Sequence, residues 1–174
     1  MKEKVIELVL LQEVYYKSPV GNLKIKGSET GICAVEFTDA FEETSRVNNF
    51  LSDCINQLHE YFSGKRKTFS LKFDLHGTDF QIKVWNELLN IPFGNTISYL
   101  ELARRLGDEK VIRAAGSANG KNPLAIVVPC HRVIGSNGDL IDYGGGLHRK
   151  KWLLEFERGI TQTSLFEAEN SIRQ

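Results

Sequence analysis

A chain of 174 residues that is 41% hydrophobic and 25% charged reads as an ordinary globular protein with room for one large domain or two small ones. Lys plus Arg equal Asp plus Glu at 22 each, which excludes a global basic field, so any nucleic-acid surface has to come from local segregation of charge. Three cysteines, Cys33, Cys54 and Cys130, with wide spacings and no CxxC pair exclude a disulfide framework and a zinc knuckle and point to a reducing compartment.

Lys2, Glu3 and Lys4 precede an apolar stretch that Glu7 interrupts, so no export signal, anchor or membrane span is expected. The expected location is the cytoplasm in a prokaryote or the nucleus in a eukaryote. From residue 14 to 38, β-rich runs (Val14 to Tyr16, Leu23 to Ile25, Ile32 to Phe37) alternate with turn signals at Pro19 to Asn22 and Glu29 to Gly31, predicting a short antiparallel meander. A helix from about Ser45 to Phe62 keeps Val47, Phe50, Leu51, Cys54, Ile55, Leu58, Tyr61 and Phe62 at three-and-four spacing and is expected to cover the sheet, with Gly64 ending it. Cys33 and Cys54 fall on these apolar stripes and are expected to be buried small hydrophobes. A further alternating strand is predicted at Phe69, Leu71, Phe73 and Leu75.

At His76-Gly77 the grammar changes from strands to short capped helices. The expected division is an N-terminal α/β domain over 1–76, a C-terminal domain over 77–160 and a tail over 161–174. Thr78 with Gln81 makes a capping-box pattern before a helix carrying Phe80, Val84, Trp85, Leu88 and Leu89, which Pro92-Phe93-Gly94 breaks. Ser98 with Glu101 opens a second helix closed by Gly107, and Asp108 can cap a third from Lys110 towards Asn119. Two short helices joined by a Gly-containing turn outline a helix-turn-helix, although many helical hairpins bind nothing. Between Lys110 and Arg132 the chain carries Lys110, Arg113, Lys121, His131 and Arg132 and no Asp or Glu. Ala114 to Ala118 leave a face without bulk, suited either to another helix or to a close backbone partner, and Arg113 is the one long cation beside it.

Leu124 to Val128 is a continuous apolar run, predicted to be a buried strand that Pro129 stops, delivering Cys130 at the rim of a core. A thiol needs a base or a positive environment to ionise, and His131 and Arg132 are candidates for both. In an extended chain adjacent side chains point apart, so contact between Cys130 and His131 needs a turn or a bridging water.

Pro129-Cys130-His131-Arg132-Val133 resembles the PCHRV active-site signature of the O6-alkylguanine-DNA alkyltransferases. The similarity extends through Phe93-Gly94, Ile97 to Tyr99, Arg113-Ala114, Gly116, Asn122-Pro123, Tyr143, Gly145, Trp152 to Leu154 and Glu157, about half the chain. The resemblance implies an α+β protein, with a strand-rich, ribonuclease-H-like N-terminal domain followed by a mainly helical, winged helix-turn-helix-like catalytic domain. It implies stoichiometric transfer of a methyl or small alkyl group from O6-alkylguanine, and from O4-methylthymine, in double-stranded DNA to Cys130. His131 would be the base through a water, Glu157 its orienting partner and Asn122 the hinge that ties the active-site loop. DNA contacts would come from Tyr99, Arg113, Ala114, Ser117, Lys121 and Arg132, with Arg113 filling the stack in the minor groove and Tyr99 turning the nucleotide outward, and little sequence would be read. Tyr99, Val133, Tyr143, Gly144 and Gly145 would line the base pocket. Family members can carry Ser where this chain has Gly144, which leaves only a backbone N–H there to meet the guanine O6. No cofactor and no metal are implied, since His59 and His76 with Cys33 and Cys54 show no ligand spacing, and a monomer without an obligate protein partner is expected. Two alternatives remain: a cysteine hydrolase on the same Cys-His-Glu set, and a non-catalytic helix-turn-helix DNA-binding protein.

Overall fold

The computed structural model describes residues 10–43 and 47–172, with side chains through residue 163. The stretch around Lys2 to Glu7 and the expected helix start at Ser45 lie outside the described residues. Three antiparallel strands, β1 (Gln12–Ser18), β2 (Gly21–Ser28) and β3 (Gly31–Thr38), form a sheet in that order. Val14, Leu23, Ile25 and Val35 are buried on one face. Helix α1 (Asn49–Phe62) covers that face with Leu51, Cys54, Leu58 and Tyr61, as its apolar stripe requires. Gly64, at φ +75°, lets the chain turn back, and its N–H bonds the Tyr61 carbonyl.

Cys54 is buried as expected, but Cys33 is only half-buried. The pairing passes from Lys26–Ala34 to Gly27–Ile32, so Cys33 is the extra residue of a β-bulge and is turned out of the regular alternation. The strand expected at 69–75 is also corrected. It touches β3 at a single point, where Ile32 exchanges two backbone bonds with Lys72 and Asp74. Farther along the same edge, Val35 exchanges two bonds with Pro123 and Ala125. Two short segments from distant parts of the chain therefore share one strand edge, and neither is long enough to be a strand.

Helix α2 (Asp79–Leu88) begins with the reciprocal Thr78–Gln81 capping box. Strand β4 (Ile97–Ser98) leads into α3 (Tyr99–Leu106), capped by Ser98 and closed by Gly107 in the left-handed conformation. Asp108 caps a single 3-10 turn that feeds α4 (Ile112–Gly120). The Trp85 indole N–H donates to the Ala118 carbonyl, fixing α2 against α4. A second short strand, β5 (Val133–Ile134), pairs in parallel with β4. The final helix α5 (Leu147–Ile172) continues through the stretch beyond Thr161 that was expected as a separate tail. Among the described residues no helix is long and apolar enough to cross a membrane.

Candidate active site

Residues 124–128 are buried as their composition demands, apart from a partly covered Ala125, but they form a tight turn and not the predicted strand. Val128 N–H bonds the Leu124 carbonyl, and Ile126 sits at φ 72°, a region costly for a β-branched residue. Asn122 holds this turn. Its Oδ1 accepts from Leu124 N–H at 3.0 Å, while its Nδ2 donates to the Val128 carbonyl at 2.8 Å, the Leu124 carbonyl at 3.3 Å and the Cys130 sulfur at 3.0 Å. The amide thus ties the loop and touches the thiol at once.

Cys130 to Arg132 form a 3-10 turn, so successive side chains stand about 120° apart instead of on opposite faces of an extended chain. His131 Nε2 lies 2.8 Å from Glu157 Oε1, and both side chains are fully buried. A carboxylate only accepts, so the network assigns the hydrogen to Nε2 and leaves the lone pair on Nδ1, which has no protein partner among the described residues. Burial pushes His131 below the ordinary imidazole range, so the ring is neutral at pH 7. Burial would also raise the Glu157 carboxyl, but the donors from His131 and Arg132, with the guanidinium charge, hold it well below the usual carboxylate range.

Arg132 was expected at the DNA surface, and the structure corrects this. It is buried at 5% exposure, donates through Nε and Nη2 to the two Glu157 oxygens at 2.9 and 3.0 Å, and through Nη1 to the Ile91 carbonyl. Two further donors complete the carboxylate. Gly94 N–H reaches Oε2 at 3.0 Å from a left-handed backbone, and the Tyr61 hydroxyl of α1 reaches Oε1 at 2.7 Å.

The Cys130 thiol opens on a pocket of about 340 Å³. Its walls come from Asn119 and Asn122, from Tyr143, Gly144 and Gly145, and from the edge of β3 at Val35 and Phe37. A Cβ on Gly145 would stand 2.5 Å from the Phe37 ring, so only glycine lets this loop lie on the sheet. Tyr99 and Val133 do not line this pocket. Val133 is fully buried in β5, and Tyr99 lines a neighbouring depression with Arg113, Gly116, Ser117 and Ile141. The Tyr99 hydroxyl donates to the Ile141 carbonyl, pinning the loop between the two hollows.

Burial pushes the Cys130 thiol up, while the Asn122 donor and the nearby Lys150 charge pull it down. Lys150 is a site residue that the sequence reading missed. It is fully buried, donates to the Ile141 and Asp142 carbonyls at 2.7 and 3.3 Å, and is lowered by burial to about 8. Asn119, Tyr61 and Phe37 were missed too. On the opposite face of α4, Arg113, Ala114 and Ser117 are exposed, and Lys121 is exposed just beyond its end. Among the described residues no group of three or more His, Cys, Asp or Glu is gathered as a metal site. A buried thiol at the wall of a pocket, next in the chain to a neutral imidazole backed by a carboxylate, is equipped to deliver a sulfur nucleophile once its proton is taken.

The family model for the 6-O-methylguanine DNA methyltransferase DNA binding domain matches residues 79–159, and the one for the ribonuclease-like domain of the same proteins matches residues 11–75. The methylated-DNA–protein-cysteine methyltransferase of Mycobacterium leprae is 46% identical over 153 residues, spanning 85% of this chain and 93% of that protein. Its namesake from Methanosarcina acetivorans is 43% identical over 148 residues, spanning 82% and 95%. The crystal structure of the Mycobacterium tuberculosis O6-methylguanine methyltransferase aligns with a TM-score of 0.77 at 42% identity, over 86% of this chain and 94% of that one. The same score and identity hold for Mycobacterium tuberculosis OGT in complex with DNA, over 85% and 93%.

Proposed function

The chain belongs to the 6-O-methylguanine DNA methyltransferase family, and on that premise we propose that it repairs DNA in a single turnover with Cys130 as the alkyl acceptor. Its reaction is methylated-DNA–protein-cysteine methyl transfer and its partner is DNA. The reading of the site rests on one observation: a buried thiol at the wall of the pocket, bonded at 3.0 Å by Asn122 and followed by an imidazole that Glu157 orients. The substrate is an O6-alkylguanine turned out of the duplex, because in-line attack needs the sulfur behind the alkyl carbon and a stacked base prevents it.

The step balances within this site. Nδ1 of His131 takes the thiol proton through a water, the thiolate attacks the alkyl carbon, and the carbon–oxygen bond breaks with its electron pair on O6. Guanine recovers at N1 the equivalent of the proton that sulfur lost. The thioether has no good leaving group, so the thiol is not regenerated. Lys150 and Asn122 stabilise the thiolate, and the backbone of Tyr143 to Gly145 faces the developing charge on O6.

Exposed Arg113, with Ala114 and Ser117 beside it, supports insertion of α4 into the minor groove, Arg113 filling the space of the missing base. Tyr99 stands between that face and the pocket and turns the nucleotide. The division at residue 76 is likewise proposed, on the junction of the two family models between 75 and 79.

Mass spectrometry after exposure to a duplex carrying O6-methylguanine tests the reading. One methyl group should appear on the peptide containing Cys130, at one equivalent and no more. Arg113→Ala should slow transfer strongly on the duplex and less on the same lesion in a single strand. An adduct elsewhere, no adduct, or turnover beyond one equivalent would overturn the assignment, the last in favour of a hydrolase.

A further inference from the structure

Tyr61 stands in the apolar stripe of α1 and is fully buried, its ring set among Phe62, Phe69, Phe93 and Phe156 at centroid distances of 5.1 to 5.8 Å. A buried phenol needs a partner for its hydroxyl, and this one donates to Glu157 Oε1 at 2.7 Å. Burial and the adjacent carboxylate push Tyr61 well above the ordinary phenol range, so it remains a donor at every working pH.

Glu157 receives five bonds. Oε1 accepts from Tyr61, His131 and Arg132 Nη2, and Oε2 from Arg132 Nε and Gly94 N–H. A carboxylate offers about four lone-pair sites, so these donors compete for its charge. Tyr61 is the only one of them from the N-terminal half of the chain, and it shares its oxygen with His131. Each donor on an anionic oxygen reduces the charge felt by the others. We propose, resting on the alkyl-transfer reading above, that Tyr61 is a positioning residue of the reaction: it fixes the Glu157 carboxylate and keeps Oε1 from drawing a proton onto His131.

The other groups facing His131 act by charge or make no contact with Oε1. Glu157 favours the imidazolium, Arg132 and Lys150 oppose it, Cys130 adjoins it in the chain, and Tyr143 meets it edge-on at 6.5 Å as a neutral ring. Only Tyr61 acts on the same carboxylate oxygen without carrying charge.

Tyr61→Phe keeps the ring and removes the donor. NMR titration of the His131 ring should then show its midpoint moved up by about half a pH unit. In single-turnover transfer the acid limb should move with it, making the variant up to about threefold slower at pH values below the His131 midpoint and progressively less impaired as pH rises above it. Replacing Tyr61 with a ring-fluorinated tyrosine, a stronger donor, should move both midpoints down, and it serves equally should the phenylalanine variant fail to fold. An unmoved His131 titration with a loss of rate uniform in pH would overturn the proposal and leave Tyr61 as packing alone. Failure of the wild-type protein to alkylate Cys130 would instead sink the alkyl-transfer reading, while the titration would still report whether Tyr61 sets the proton affinity of His131.

Discussion

Lys150 carries an ammonium into a place where few lysines go, fully buried and lowered by burial to about 8, held by two carbonyls of the loop that walls the pocket. Its charge is one of the few influences that favour the thiolate of Cys130. Lys150→Met keeps much of the stem's volume and removes that charge. The expected result is transfer slowed by about tenfold at pH 7, with the Cys130 thiol titrating higher in a pH series of thiol-alkylation rates. An unchanged thiol titration would assign Lys150 to loop anchoring alone. Cys130 and His131 were legible in a specific pentapeptide, and Asn122 and Glu157 through the family resemblance that extends around it. Lys150 was hidden in the run Arg149-Lys150-Lys151, which reads as a solvated face. The available signal was its position two turns before Glu157 on the face that also carries Leu153. Arg132 was placed wrongly because a basic residue beside a reactive cysteine suggests DNA, whereas the 3-10 turn directs it under the pocket to Glu157.

Capped elements were the most legible, and the segments between them the least. The capping box at Thr78, the Ser98 cap, Gly107 and Gly64 each mark a boundary through a local bond or a local backbone need, so reading them requires no tertiary knowledge. The run from Leu124 to Val128 shows the contrary case. A continuous apolar run reports burial on all sides, and a buried turn satisfies it as well as a strand. What decides is Asn122, whose amide replaces the ladder bonds that a strand would have made. Asn122→Ala orphans the buried Leu124 N–H and frees the turn around Ile126, so it should cost about 1–3 kcal/mol in thermal unfolding and slow transfer. Asn122→Asp keeps the acceptor for Leu124 but loses the donor to sulfur and adds a negative charge beside it. It should therefore be more stable than the alanine variant and at least as slow in transfer. Recovery of transfer in the aspartate variant would show that Asn122 acts only by holding the loop.

At the scale of the whole molecule, the site lies on a seam between the two halves of the chain. The edge of β3 bonds the segment leading to Cys130, Phe37 supports Gly145 and Tyr143, Arg149 reaches across to the Val20 carbonyl, and Tyr61 reaches Glu157. None of these pairings has a sequence period, which is why the N-terminal half could be recognised as a covered sheet but not as a wall of the pocket. The seam also buries charge, and this makes stability depend on pH with a sign that can be derived. His131 is held neutral, below its unfolded value of about 6.5, so as pH falls through that value the unfolded chain binds a proton that the folded one refuses. Its contribution is intact above about pH 6.5 and declines below it. Glu157 is held below its unfolded value of about 4.3, so its contribution is intact above that and declines as pH falls further. Both groups make acid destabilising, in two successive windows. Denaturant unfolding of wild type and His131→Gln from pH 8 to 4 should show the wild-type advantage shrinking as pH falls below about 6.5. Glu157→Gln strands the buried Arg132 charge and should cost about 3–5 kcal/mol at neutral pH, with a flatter dependence below about pH 4.3. Were His131 an imidazolium paired with Glu157 in the resting protein, its folded value would lie above the unfolded one. The wild-type advantage over His131→Gln would then grow as pH fell from 7 to 5. A slope of that sign would remove the neutral Nδ1 base, and with it the route by which the thiol loses its proton.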